Sequence, residues 1–326
     1  MYLSFDRSKG GASEVAQLLE TPPALEAPPN AVLFDRTVDR ALVHRSAVSE
    51  VLLTDWRSVG ELDFTVGAQW PRGHSFYPPV ADLWYDPVLM AETIRQAGLL
   101  IAHGAFGVPL GTQFLMGDLS FDVDPGGLAC HGRPADLSLM VTCGDLRRRG
   151  NTISGMRIHV HVMRDGRPLG TGDGVLSCAS AAAYRRLRGD RGGVAHRGRL
   201  PLPVPPPLVG RDRSADVVLA PTEDRQVWEV RSDLRHPVLF DHEVDHLPGM
   251  VLVEAMRQAA CLATGWPELL VTGLSARFAK YVEFDRPCLV RAEAGPAALG
   301  GTPVRVVLEQ DGASVADGRL LVRSTG

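Results

Sequence analysis

The sequence predicts an α+β protein made of two copies of one unit, each a long central helix wrapped by an antiparallel sheet. Three observations predict it. Two long stretches align with each other without a gap, each contains a helix that is apolar almost all the way round, and each is followed by alternating strands joined through an Asp-Gly turn.

The alignment carries the duplication. HSFYPPVADLWYDPVLMAETIRQA (74–97) lies over HPVLFDHEVDHLPGMVLVEAMRQA (236–259), so His74 meets His236, and Glu92, Arg95 and Gln96 meet Glu254, Arg257 and Gln258. Upstream, RSAVSEVLLT (45–54) resembles RSADVVLAPT (213–222). Downstream, VMRDGRPLGTGDG (162–174) resembles LEQDGASVADG (308–318). Three matches in one order mark an internal repeat.

Four segments follow. Residues 1–35, containing TPPALEAPPN, read as an arm; 36–184 form the first copy; 185–212, rich in Arg, Pro and Gly without helical or strand period, read as an extended linker; 213–326 form the second copy. Each copy reads as a strand, a long loop, one helix, then about four strands. Ile158, Val160 and Val162 alternate with His159 and His161, and TPVRVVLEQDGASVADGRLLVRS is the matching hairpin. A sheet curled round one helix buries that helix deeply. This order resembles the hotdog fold, and two copies make a tandem (double) hotdog. Fusion supplies the pairing that single hotdogs obtain from two chains, so either a monomer or a homodimer is compatible.

Composition narrows the function classes. The chain is 45% apolar and 22% charged, an ordinary soluble balance. A formal charge of −4 argues against nucleic acid as the main partner, since phosphate backbones select basic faces. The N-terminus lacks the apolar core of a secretory signal, and no run reaches the roughly 18 apolar residues of a membrane span. Five scattered cysteines without a C-x-x-C pattern fit reduced thiols and a cytoplasmic location, with no metal or other cofactor expected. Lys9 and Lys280 are the only lysines.

The helix PGMVLVEAMRQAACLAT (248–264) poses the chemical question. Its polar residues, Glu254, Arg257 and Gln258, fall within an arc of about 100° on an otherwise apolar surface. A buried charge without a partner costs several kcal/mol, so this stripe either pairs internally or lines a wet cavity. MAETIRQAGLLIAHG repeats the stripe with Glu92, Arg95 and Gln96, and His103 falls on the Glu92 side. The preceding loop, HPVLFDHEVDHLPGM, gathers His242 and His246 among acidic residues. The first copy keeps only His74 there, so the copies have diverged where chemistry would sit.

Two resemblances give these residues roles. HLPGMVLVEAMRQAA looks like the Pro-Gly-x-x-x-x-Glu-Ala segment of hotdog dehydratases that act on acyl-carrier-protein thioesters; here only His242 or His246 can stand for their loop histidine. LVHRSAVSEVLLTDW, FTVGAQWPRGHSFY, AETIRQAGLLIAHGAFGVPLGTQFLM and LFDHEVDHLPGMVLVEAMRQAA together resemble the A-factor biosynthesis (AfsA-like) family of actinomycetes. That resemblance implies an acyltransferase making precursors of γ-butyrolactone, butenolide or furan signalling molecules. It implies transfer of a β-ketoacyl group from acyl carrier protein to the hydroxyl of dihydroxyacetone phosphate, followed by an intramolecular aldol-type closure.

Such a transfer needs a base near the hydroxyl and a donor for the thioester oxyanion. Glu254 is the expected base, with its pKa raised in a dry cavity, and Arg257 the expected phosphate or oxyanion ligand. Glu92 and Arg95, with Gln96 and Gln258 beside the two pairs, either complete a composite site or are vestigial. Arg277 and Lys280 read either as anion binders or as ordinary surface charges, and Met250 and Val253 are candidate walls of an acyl tunnel. No G-x-S-x-G elbow is present, which favours direct transfer over an acyl-enzyme. Arg185, Arg186, Arg188 and Arg191 read either as a docking patch for an acidic carrier protein or as solvated linker charges. A dehydratase, a thioesterase or a non-catalytic acyl- or lactone-binding module are the alternatives.

Overall fold

The computed structural model describes residues 32–150, 152–191 and 200–325; residues 1–31 of the expected arm and 192–199 of the expected linker lie outside them. Twelve strands form one continuous sheet in the order β1-β2-β4-β5-β6-β3-β9-β12-β11-β10-β8-β7, every neighbouring pair antiparallel. The first six are β1 (Leu53–Ser58), β2 (Asp63–Trp70), β3 (Gln113–Val123), β4 (Ala135–Arg149), β5 (Thr152–Arg164) and β6 (Arg167–Ala179). The second six are β7 (Leu219–Pro221), β8 (Val227–Val230), β9 (Leu269–Phe278), β10 (Leu289–Ala294), β11 (Thr302–Gln310) and β12 (Ala313–Ser324). Reading the order outward from the β3–β9 junction gives the same sequence of strands in each half. The tandem hotdog is therefore closed by one shared ladder, Asp118–Asp122 against Gly273–Arg277. Each copy opens on two strands where one is expected: β2 and β8 join the edge strands β1 and β7 to β4 and β10.

The patterning explains the strands. Ile158, Val160 and Val162 are buried, while His161 is exposed on the opposite face. Both Asp-Gly turns are built as expected. Asp165–Gly166 (φ 51° and 72°) and Asp311–Gly312 (φ 54° and 72°) have the two positive φ angles of a tight hairpin turn.

Helices α1 (Val88–Gly104) and α3 (Gly249–Thr264) run inside the two halves. Glycines in the covering strands let them approach. A β-carbon on Gly172 would lie 2.2 Å from Ile94, and one on Gly318 would lie 2.5 Å from Met256, the register-equivalent position. Gly265, left-handed at φ 73°, ends α3 by donating to the Cys261 carbonyl. No helix among the described residues is long and apolar enough to cross a membrane.

Between the copies the chain departs from an extended linker. α2 (Ala181–Arg188) carries Arg188 into a buried position, and Pro206–Val209 form a 3₁₀ turn. That turn matches Arg40–Val43 of the first copy, and Val204 N donates to Leu219 O just as Val38 N donates to Leu53 O. The structural register thus pairs Arg45 with Arg211. The RSA match had set it against Arg213, two residues away, which instead pairs with Asp216 in its own turn.

Candidate active site

The polar stripe of each helix is consumed by a buried network. Glu254, fully enclosed, accepts Arg211 Nε at 3.1 Å and Arg257 Nη2 at 2.8 Å on Oε1, and Arg257 Nε at 3.0 Å on Oε2. Gln258 donates to the same carboxylate at 2.5 Å, and its amide ties down the backbone at Asp216 O and Val218 N. Glu92 repeats this arrangement with Arg45, Arg95 and Gln96, whose amide binds Glu50 O and Leu52 N. Burial alone would raise both carboxyls. The guanidinium pairs and donated hydrogen bonds override it, holding Glu254 at about 2 and Glu92 well below the usual carboxylate range.

This corrects the expected base. Glu254 is not a carboxylate of raised pKa in a hollow; it is an ionised anchor saturated by donors. Arg257 spends its guanidinium on Glu254 and Val209 O, and neither residue lines the cavity described next. Gln96 and Gln258 are likewise structural amides. Val253 is buried away from the cavity, and Leu252 lines it instead. Arg277 is exposed on β9, in register with Asp118 of β3 and Asp317 of β12, and contributes no wall.

A cavity of about 330 Å³ lies between α1 and β3 of the first copy and the loop and N-terminus of α3 in the second. Leu99, Phe114, Met116, Leu176, Met250 and Phe278 make its apolar wall. His44, Arg45, Tyr77, Arg95, His242, His246 and Lys280 bring its polar groups. His44, Arg45, Gln113, His242, Val244 and His246 also line a more open antechamber of about 910 Å³, with Tyr184, Phe240 and Phe284. The cavity therefore joins the Arg95 half-site to the second copy's histidine loop. His242, His246, Arg95, Lys280 and Met250 all meet there.

His246 is oriented by a braced carboxylate. Its Nδ1 lies 2.7 Å from Asp245 Oδ1, and the same carboxylate accepts Tyr184 Oη at 2.6 Å and Arg188 Nε at 3.0 Å. Arg188 is locked by a two-point pair with Glu283 at 2.7 and 2.8 Å and by stacking 4.5 Å over Tyr281. Burial would raise Asp245, but the bonds from His246, Tyr184 and Arg188 hold it below the usual range as a fixed anion. An imidazole oriented by a carboxylate through one nitrogen presents the other for catalysis. Arg188, considered as a docking or solvated charge, is thus an internal brace. His242 is exposed, with Nδ1 against its neighbour's carbonyl, Glu243 O, at 3.0 Å.

Three further groups were not singled out by sequence reasoning. Arg45 bridges Glu92 and Val238 O. Tyr77 is a buried phenol, pushed well up by burial and by Glu92 and Glu254; its hydroxyl has no acceptor among the described residues. His44 bonds to His103, the histidine noted on the Glu92 side, at 2.9 Å. The only sequence signal for His44 and Arg45 is the His-Arg pair within LVHRSAVSEVLLTDW. Among the described residues, no group of three or more His, Cys, Asp or Glu side chains is arranged to hold a metal ion.

Comparison with known proteins agrees with this architecture. The profile of the A-factor biosynthesis hotdog domain matches residues 28–180 and again 194–326, one segment per copy. A 2-oxo-3-(phosphooxy)propyl 3-oxoalkanoate synthase of Streptomyces virginiae is 49% identical over 280 residues, 86% of this chain and 95% of that protein. The synthase of the same name from Streptomyces coelicolor is 40% identical over 279 residues, 85% of this chain and 89% of that protein. Among solved structures, the 12:0-ACP thioesterase from Umbellularia californica superposes with a TM-score of 0.50 at 13% identity. That match covers 82% of this chain and 99% of the other, a likeness of fold alone. By both the doubled profile match and the identity to these synthases, the chain belongs to the A-factor biosynthesis (AfsA) hotdog family.

Proposed function

We propose that this chain transfers a 3-oxoacyl group from an acyl-carrier-protein thioester to the hydroxyl of dihydroxyacetone phosphate, giving a 2-oxo-3-(phosphooxy)propyl 3-oxoalkanoate. The relatives that bear this product in their name support the reading. The observation that carries it is the composition of one chamber, in which spare basic groups face an apolar wall. Arg95 Nη1 and Lys280 Nζ engage no acceptor among the described residues, and both residues line the cavity. A guanidinium and an ammonium suit a phosphate dianion. Leu99, Met116, Leu176 and Met250 suit an acyl chain.

The chemistry follows from charge. Attack of the hydroxyl oxygen on the thioester carbonyl builds negative charge on the carbonyl oxygen. The Tyr77 phenol is a donor for it, and one such donor is worth roughly 10²–10³ in rate. His246, braced by Asp245, stands where the cavity meets the antechamber, on the side from which a thioester arm would enter. Arg185 and Arg186 stay exposed on α2, whose Tyr184 lines that antechamber, and offer the basic face an acidic carrier protein would meet. We place the first copy at 36–184 and move the start of the second copy from 213 back to about Val204.

Incubating the purified chain with a 3-oxoacyl thioester, with and without dihydroxyacetone phosphate, tests the proposal by mass spectrometry. Ester formation that requires the acceptor is expected. Acceptor-independent hydrolysis or an unchanged thioester would each reject it.

A further inference from the structure

His44 and Gly210 occupy one place in the two copies. Each ends a one-turn 3₁₀ helix, Arg40–Val43 or Pro206–Val209, and each has left-handed backbone, with φ and ψ of 53° and 52° against 63° and 40°. Each precedes the arginine that clamps its own copy's helix carboxylate. Glycine adopts this conformation freely, whereas a residue with a β-carbon is strained in it. The second copy uses the residue the backbone favours; the first sets an imidazole there against that preference, in the wall of the cavity. Strain retained at a cavity wall points to a role for the side chain.

The residue behind His44 follows the same asymmetry. His103 aligns with Gly265, and His246 aligns with Trp84 in the ungapped register. The mirror position is also closed, since a β-carbon on Gly210 would lie 2.3 Å from the Pro267 carbonyl oxygen.

Hydrogen bonding fixes the tautomer of neutral His44. Val108 O can only accept, so His103 Nδ1 donates to it at 2.6 Å and His103 Nε2 is left as an acceptor. His44 Nε2, 2.9 Å away, donates to it. His44 Nδ1 then carries a lone pair with no partner among the described residues. Burial, with His103, Arg95 and His242 nearby, pulls His44 down to about 4, so the ring is neutral near pH 7.

We propose that His44 Nδ1 is the base of the acyl transfer, that His103 is the positioning residue that sets its tautomer, and that the chain has one working centre, on the Arg95 side. This rests on the acyl-transfer reading above. The acceptor O–H bond breaks toward Nδ1 as its oxygen bonds to the thioester carbon. The C–S bond then breaks, and the departing sulfur takes the same proton back from the ring.

His44→Gly, which installs the second copy's residue, tests this in the full chain. Loss of kcat by roughly 10²–10⁴-fold is expected. The KM for dihydroxyacetone phosphate should stay within about threefold, the thermal midpoint should hold or rise, and added imidazole should restore part of the rate. His44→Asn, a left-handed-tolerant residue, should show the same loss if the glycine variant folds poorly. His103→Leu should lose rate and His103→Gln, which restores an acceptor for Nε2–H, should recover it. Full activity in His44→Gly overturns the base assignment, and a residual rate near half overturns the single centre. A wild-type chain that leaves the thioester intact overturns the acyl-transfer reading and this inference with it, whereas an active wild type beside a fully active variant overturns this inference alone.

Discussion

Arg45 and Arg211 perform the same exchange in opposite directions. Each pairs with the glutamate of its own copy's central helix, Glu92 or Glu254, and each sends Nη1 across to a carbonyl of the other copy, Val238 O at 3.1 Å and Phe76 O at 2.5 Å. The second polar layer obeys the same symmetry. His74 and His236 lie 3.3 and 3.1 Å from Glu50 and Asp216, and each accepts two backbone N–H groups of its own loop through Nδ1. The E-x-x-R-Q stripe is a reciprocal lock between the halves, which explains why two such charged sets persist inside apolar helices.

Glu254→Gln should therefore act on stability. It leaves Arg211 and Arg257 enclosed without their anion, and breaking a buried pair from one side costs about 3–5 kcal/mol. Chemical denaturation should show that loss, with activity falling only as the folded fraction falls. A variant that denatures like the wild type yet transfers nothing would return Glu254 to the role of base.

The same carboxylate sets an acid limit. Its pKa is depressed from 4.5 to about 2, so the stability it contributes is fully present above pH 4.5 and is lost as the pH falls from there toward 2. The gap in denaturation midpoint between wild type and Glu254→Gln should be constant from pH 7 to about 5 and shrink below 4.5. A gap that is unchanged at pH 3 would mean the carboxyl is not held ionised by its partners.

The Glu254 network marks the limit of what the sequence could convey. The duplication, the buried helices and the hairpins were legible because hydrophobic period and Asp-Gly turns are local signals. The stripe at Glu254 was legible as charge needing a partner, but the partner was not. Arg211 lies 43 residues away within a stretch that reads as linker, and the RSA match drew Arg45 toward Arg213. His242 and His246, clustered in one short loop, and Lys280, named with Arg277 from LSARFAKYVEF, do line the cavity, whereas Arg277 does not. His44 was not singled out because what sets it apart is a left-handed φ angle at the cavity wall, which sequence spacing does not carry.

Lys280 is the cleaner probe of the phosphate end, because Arg95 also braces Glu92. Lys280 has no side-chain partner among the described residues and sits at the exposed rim of the cavity. Lys280→Ala should raise the KM for dihydroxyacetone phosphate roughly tenfold or more, the worth of one hydrogen bond to a charged group. It should leave the thermal midpoint unchanged. An unaltered KM would put the phosphate elsewhere.

The apolar end makes a prediction about chain length. Met250 is the first buried residue of α3 and lines the cavity beside Leu252 and Phe278. Met250→Phe places a rigid ring where a flexible thioether now yields space. Each methylene of the donor that is thereby denied burial forfeits about 0.8 kcal/mol, or roughly fourfold in kcat/KM. A series of 3-oxoacyl thioesters of increasing length should thus diverge progressively from the wild type, with the shortest donors unaffected and the longest most impaired. Equal impairment at every length would mean that Met250 shapes the fold of α3 and that the acyl chain runs along another wall.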